Sequence, residues 1–349
     1  MNKIMYWCFL LGMLAMTGCG GLTQPAARTT ALGMIFWPPW RDAAEAERLA
    51  PLGVGLTLGH SDELYVQLPW APAAAAATVQ QAAWLSGIAA EHHRPLTIAL
   101  DWQDPSRRML QGGAGWSFGD SSTRQAFLTT VDQLLTRYHP DRLVLGVEVN
   151  YYARLRPGDF AAFVELYREA RTRIKGASPA TAVLVTFQYE LLRGCDPGWP
   201  GGEDLAPVHA FGEGLDLLGF SLYPHLAGIT AGELPDGYLA GVTALAPAGG
   251  WGICETAWPA GNNDAVAAEY LKRLRVQCER YGARLLIWTA TMDTAELPAT
   301  NADAAAFAAA GDWMRRLGLF TREGAAKPAA AVWDRWRASP TGVGNGPAR

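Results

Sequence analysis

Short apolar runs alternate with stretches of 3.6-residue periodicity along most of this chain, and the alternation predicts eight strand-then-helix units. The first strand is LGMIFWP, followed by a helix from Arg41 through Leu49. VGLTLGH reads as the second strand, with ELYVQLPW as a candidate extra strand and a helix from Thr78 to Ala90. PLTIALDW is the third, and Ser121 or Ser122 suits the cap of its helix, Ser122 to Tyr138. RLVLGVEVN is the fourth, and Pro157 suits the first turn of a helix running to Lys175. AVLVTFQYE is the fifth, leading into a Gly/Pro-rich loop from Arg193 to Gly202 and a short helical piece near Val208. LDLLGFSLYP is the sixth, with a weak helix from Tyr238 to Leu245. GWGICETAW and RLLIWTATMD complete the set, followed respectively by helices over Asp264 to Tyr281 and a stretch that includes Asp303 to Leu317.

The strand runs lack a clear in-out alternation, as parallel strands covered on the outside do, so the pattern predicts an α/β fold, a single-domain (β/α)8 TIM barrel. The alternative is a doubly wound open sheet. That fold wants a Gly-rich phosphate loop after its first strand, where this chain has Trp37-Pro38-Pro39-Trp40. No repeat of 20 to 50 residues stands out, which removes solenoids and propellers.

The first 19 residues, MNKIMYWCFLLGMLAMTGC, carry Lys3, an apolar stretch from Ile4 to Met16 and small residues before Cys19. This is a secretory signal, because the apolar run is shorter than the ~20 residues a bilayer core needs. Met16-Thr17-Gly18-Cys19 resembles the lipobox of bacterial lipoproteins, with Met where Leu is usual. The resemblance implies cleavage before Cys19, lipid attachment to its thiol, and a lipid-anchored place in the bacterial cell envelope, periplasmic or at the cell surface. The expected organisation is a signal over 1–18, a tether over 19–30, a barrel over 31–338 and a disordered tail over 339–349.

Composition narrows the partners. Removing 1–18 takes Lys3 alone from 29 basic side chains, leaving 28 against 33 acids, a net charge of −5. Such a balance disfavours nucleic acid, which needs clustered Lys and Arg. His92-His93 is the nearest approach to a histidine cluster and lacks metal-ligand spacing, so neither a metal nor a cofactor is expected. Beyond Cys8 and Cys19 the cysteines are Cys195, Cys254 and Cys278, an odd number that implies no disulfide framework. Nothing here fixes an oligomeric state.

In a barrel, residues at the C-terminal strand ends share one face. Here they are Trp37, Trp40, His60, Asp101, Trp102, Glu148, Asn150, Gln188, Tyr223, His225, Glu255, Trp258 and Trp288. Aromatics alternating with acids and amides suit a carbohydrate, whose C–H faces stack on rings while its hydroxyls need partners. Trp116 and Trp199, in the loops Gln103 to Asp120 and Arg193 to Gly202, are either further sugar platforms or loop anchors. Two glutamates, Glu148 and Glu255, close apolar runs, and WGICETAW offers Glu255 no nearby basic partner. Cys254 points to the opposite side of a regular strand from Glu255.

With Glu148 ending strand four and Glu255 ending strand seven, the chain resembles the retaining glycoside hydrolases of the (β/α)8 clan A. ETAWP is similar to the nucleophile strand of the endo-β-1,4-galactanase family and its relatives, and GFSLYPHL to their sixth strand. The resemblance implies Glu255 as nucleophile, Glu148 as acid/base, Tyr223 as the tyrosine that hydrogen-bonds the nucleophile, and Trp288 as the aromatic under the reacting sugar. Clan members carry Asn before the acid/base to bind the 2-hydroxyl, where this chain has Val147. Asn150, two residues after Glu148 on the same side of an extended strand, is the candidate substitute. Two classes of function follow: a retaining glycosidase, or a non-catalytic carbohydrate-binding envelope lipoprotein with a glycosidase-like barrel. A metal-dependent barrel hydrolase is the weaker third, with only His60, Asp101 and His225 as ligands.

Overall fold

The computed structural model describes residues 27–36, 42–104, 106–107, 109–112, 115–199, 201–261, 263–294 and 312–340. Trp37, Trp40, Cys19, the expected signal, the tether up to residue 26, the tail from 341 and the segment 303–311 of the last expected helix lie outside the described residues. In chain order the principal elements are β1 (Ala31–Ile35), α1 (Ala43–His60), β2 (Glu63–Pro69), α2 (Ala75–Glu91), β3 (Leu96–Asp101), α3 (Ser121–Tyr138), β4 (Arg142–Val144), α4 (Val149–Leu155), α5 (Pro157–Ala177), β5 (Ala182–Leu184), β6 (Thr186–Gln188), α6 (Tyr189–Leu192), α7 (Ala206–His209), β7 (Leu218–Leu222), α8 (Val242–Leu245), β8 (Trp251–Thr256), α9 (Ala265–Tyr281), β9 (Leu285–Trp288) and α10 (Pro328–Arg337).

All the strands pair in parallel, in the order β5-β4-β3-β2-β1-β9-β8-β7-β6. The two edge elements, β5 and β6, are halves of one extended segment parted only by Val185. The sheet therefore closes on itself as the expected (β/α)8 barrel, with this broken segment as its fifth strand. Hydrogen bonds from Leu145 N to Leu184 O, 2.8 Å, and from Thr186 N to Gly146 O, 2.9 Å, carry the pairing across the break.

Successive strand residues divide between two cores. Ile35, Tyr65, Ala99, Val144, Cys254, Leu285 and Ile287 pack together in a cluster without helical members, the barrel interior. Leu286, Trp288, Trp102 and Ile253 join residues of the helices in the layer outside it. Trp288, expected under a sugar, is fully buried there: its Nε1 donates to Leu317 O at 2.6 Å, and its ring lies against Tyr270 and Trp333. It sits one residue after Ile287, and strand parity turns it away from the cleft. Trp102 is likewise enclosed by Phe118, Tyr152 and Phe163.

The second strand differs from expectation. VGLTLGH forms the last two turns of α1, and the candidate extra strand ELYVQLP is β2 itself. The helix continues through Pro51, and its buried residues Leu49, Gly53 and Thr57 fall four apart, a helical stripe inside a run that also reads as β. His60 thus ends a helix and precedes β2, at the N-terminal face of the barrel. There its Nδ1 meets Asp334 Oδ1 at 2.6 Å and its ring packs on Phe320, so it is removed from the strand-end set. On the same face Arg28, expected in the tether, is buried and paired with Asp62 at 2.6 Å, so residues 27–30 belong to the folded body.

Gly53 shows how tightly α1 is seated. A Cβ there would lie 2.3 Å from the buried Phe36 ring and 3.2 Å from Met292 Sδ. Alanine is normally worth about 1 kcal/mol over glycine inside a helix. Here Gly53→Ala is expected to destabilise the fold by about 1–3 kcal/mol in urea unfolding, because overpacking outweighs propensity; a stabilised variant would contradict this seating of α1.

Candidate active site

Glu255 reaches the barrel mouth because β8 is bulged. Phe220 pairs with Ile253 but Ser221 pairs with Glu255, so Cys254 is the extra residue and the alternation skips one step. Cys254 and Glu255 consequently both face inward, where a regular strand would send them to opposite sides. Thr256 resumes the outward direction, its hydroxyl 2.7 Å from Tyr270 on α9.

Glu255 is 8% exposed. Its Oε1 accepts from the Tyr223 hydroxyl at 2.6 Å, the contact the resemblance implied, and Tyr223 also lies 2.7 Å from the Thr289 hydroxyl. Among the described residues Oε2 has no hydrogen-bond partner. One oxygen is held and the other is presented.

Glu148 is not at the end of a long strand. The fourth strand stops at Val144, and Glu148 itself is left-handed, with φ 50° and ψ 44°, turning the chain into α4. A non-glycine residue in that region costs on the order of 1 kcal/mol or more, and the surroundings enforce it. Its N–H donates to Thr186 Oγ1 at 2.8 Å, and its carbonyl accepts from Gln103 Nε2 at 3.2 Å. Gly146 allows the approach, since a Cβ there would be 2.7 Å from Val149 and 3.0 Å from Trp102.

The residue that sequence reasoning missed is Arg107. It lies in the loop after β3, and its side chain is only 14% exposed. Its Nε donates to Glu148 Oε2 at 2.7 Å, while Nη1 donates to Asp101 Oδ1 and Oδ2 at 2.7 and 2.9 Å. Gln67 Nε2 also donates to Asp101 Oδ2, at 3.0 Å. A basic residue six positions after a strand-end acid was the available signal, hidden by the irregular composition of the loop.

Burial raises the pKa of both glutamates above the ordinary carboxylate range. Glu255 is pushed up to about 7, by burial first and then by the Glu148 charge, against which Arg107 and the Tyr223 phenol act. Glu148 is raised by burial, opposed by Arg107, with Asp101 adding repulsion. Glu255 is close enough to feel the charges of both Glu148 and Arg107, and Arg107 is bonded to Glu148, so the two carboxyls face a common space beside that guanidinium. Each carboxyl raises the other's resistance to ionising, so the pair holds a proton more firmly than two carboxyls in water would.

The other strand-end residues divide. Asp101 belongs to the site through Arg107. Asn150 does not: it lies on α4 instead of an extended strand, and its amide clamps the Gln188 backbone, Nδ2 to O at 2.9 Å and Oδ1 from N at 2.8 Å. The Gln188 side chain caps α6 through Leu191 N and donates to Glu190, so it is also committed within the protein. His225 is half-buried between Tyr223 and Trp258, and burial lowers its pKa to about 4, so it is a neutral imidazole. Trp258 is buried and shared between His225 and Tyr270. Trp116 packs edge-on against Trp70 with its Nε1 on Gln111 O, and Trp199 packs against Tyr151; each anchors its loop. No group of three or more His, Cys, Asp or Glu that could hold a metal occurs among the described residues.

The sequence matches no protein-family model, and no curated protein sequence is significantly similar to it. Solved structures do share its fold. An exo-β-1,4-mannosidase from Opitutaceae bacterium strain TAV5 aligns with a TM-score of 0.66 at 18% identity, over 90% of this chain and 60% of that one. A GH5_18 protein from Streptomyces cattleya, solved with Manβ1-4GlcNAc, gives 0.61 at 16% identity, over 89% of this chain and 82% of that one. A fungal β-1,4-galactanase gives 0.60 at 17% identity, over 88% of this chain and all of that one. The chain is a (β/α)8 barrel of the kind these glycoside hydrolases have.

The raised carboxyls make stability depend on pH. A glutamate whose folded pKa exceeds its unfolded value contributes stability below the unfolded value, near 4.5, and that contribution is lost as pH rises through about 7. Glu255→Gln is therefore expected to melt above wild type at about pH 8 and to lose that advantage at about pH 4.5. A gain independent of pH, or present only in acid, would count against a raised Glu255.

Proposed function

We propose that this chain is a retaining glycoside hydrolase acting on an oligo- or polysaccharide at the bacterial cell envelope. The observation that carries the reading is the facing pair at the barrel mouth, Glu255 held by a phenol with one oxygen presented and Glu148 held by a guanidinium. The Glu255 oxygen attacks the anomeric carbon as Glu148 gives its proton to the departing glycosidic oxygen. The resulting glycosyl ester on Glu255 is hydrolysed by a water whose proton returns to Glu148, restoring both groups.

Tyr223 stabilises Glu255 as the carboxylate. Arg107 favours the ionised form of Glu148, which suits the base half of the cycle and opposes the acid half. Sugar binding therefore has to move Arg107 off Glu148, and its two bonds to Asp101 give the guanidinium a place to remain. Asp101 and Arg107 also offer an acceptor and a donor for sugar hydroxyls, with Trp258 and His225 near the mouth. Neutral hexosides linked β-1,4 are the first substrates to try, since the structural neighbours include a mannosidase and a galactanase.

A second reading rests on the same ion pair. With Glu148 held by Arg107, Val147 in place of an asparagine and Asn150 committed to Gln188, the barrel would bind a glycan without cleaving it. A panel of aryl and natural β-glycosides separates the two. The hydrolase reading expects Glu255→Gln to lower kcat at least about a thousandfold, and Glu148→Gln to spare aryl glycosides with good leaving groups more than natural ones. Activity that survives Glu255→Gln overturns the nucleophile, and binding without turnover establishes the second reading.

The envelope location is carried by Met16-Thr17-Gly18-Cys19 alone. Cys19→Ser is expected to move the protein from the membrane fraction to the soluble one; unchanged fractionation would exclude the lipid anchor.

A further inference from the structure

One carboxylate of the barrel mouth has no part in this chemistry. Glu190, on the short helix α6, is fully buried, and among the described residues no Lys or Arg forms an ion pair with it. The basic residue nearest along the chain, Arg193, pairs with Glu203 at 2.8 Å. Burying a carboxylate without an ion-pair partner is costly, so the hydrogen bonds its oxygens accept have to offset that cost. Its partners indicate what the carboxylate does. Oε2 accepts from the Tyr223 backbone N–H at 3.1 Å and from Gln188 Nε2 at 2.5 Å, while Oε1 accepts from the Tyr238 hydroxyl at 2.9 Å. Tyr238 is itself fixed, its carbonyl accepting from the Tyr189 hydroxyl at 2.5 Å.

Tyr223 is thus held at both ends, its main chain by Glu190 and its phenol against Glu255. It follows the last residue of β7 and has φ −136° and ψ 72°, outside the strand ladder that would otherwise fix its backbone. We propose that Glu190 is a positioning residue that acts on the nucleophile through Tyr223, keeping the phenol in line with Glu255 Oε1. The proposal rests on the hydrolase reading for its catalytic meaning and on geometry alone for the linkage. The titratable groups facing Glu190 are Tyr238, Tyr270 from α9 and Tyr189 on its own helix, all of which stay neutral at physiological pH. Burial raises the Glu190 carboxyl to about 7, so the clamp itself changes charge in the neutral range.

The test needs no substrate. Protein labelled with [δ-13C]glutamate is titrated by 13C NMR in wild type, Tyr223→Phe, Glu190→Ala and Glu190→Gln, with Glu255→Gln assigning the Glu255 signal. Losing the phenol bond should raise the Glu255 midpoint by about half a unit or more in Tyr223→Phe. Glu190→Ala should raise it in the same direction, and Glu190→Gln, which keeps an oxygen for the Tyr223 N–H, should return it to the wild-type value. If Glu190→Ala does not fold, Glu190→Asp takes its place, since its shortened carboxylate draws back from Tyr223 and the same upward shift is expected. A Glu255 midpoint unmoved in Tyr223→Phe or in the folded Glu190 variant overturns the linkage. Where hydrolysis is found, Glu190→Ala should lower kcat about tenfold with KM little changed, and Glu190→Gln should restore it. A wild type inactive on every glycoside would remove the hydrolase reading while the titration still decides the linkage.

Discussion

Everything at the mouth of this barrel depends on keeping three acids, Asp101, Glu148 and Glu255, out of water beside the Arg107 guanidinium. Charge buried in a medium of low polarity must be paired, hydrogen-bonded or neutralised by a proton. Arg107 satisfies Asp101 and one oxygen of Glu148, Tyr223 satisfies one oxygen of Glu255, and the remaining repulsion and burial raise the pKa of both glutamates. The same electrostatic tension that weakens the fold at high pH is what the proposed hydrolysis would draw on.

Backbone irregularity puts the acids where this can happen. The extra residue Cys254 turns Glu255 inward, and the left-handed Glu148, four residues beyond the end of β4, turns the chain into α4. Neither feature is favourable in isolation. Each is held by neighbours: Ser221 and Thr256 on either side of the bulge, Thr186 and Gln103 on the two faces of the Glu148 peptide.

The fold was legible because parallel strands leave unbroken apolar runs, and seven of the eight fell where those runs predict. VGLTLGH misled because its apolar residues satisfy both a strand and a helix stripe, and only the packing of Gly53 against Phe36 decides. The two glutamates and Tyr223 were legible from the apolar runs that precede them, although Glu148 lies beyond the end of its strand. The orientation of their neighbours was not: Trp288 was misjudged by one step of strand parity, Asn150 by assuming that the strand continued past Glu148, and Cys254 because a bulge leaves no mark in composition. Arg107 escaped because its contact is made across the barrel mouth from a loop without periodicity.

The measurement that bears most directly on the glutamate pair is covalent trapping. A 2-deoxy-2-fluoro glycoside carrying a good leaving group slows breakdown of the glycosyl ester, so the labelled peptide can be located by mass spectrometry. The account predicts one sugar per chain, attached to Glu255 in the segment WGICETAWP. A label on Glu148, or turnover with inversion at the anomeric carbon, would contradict it.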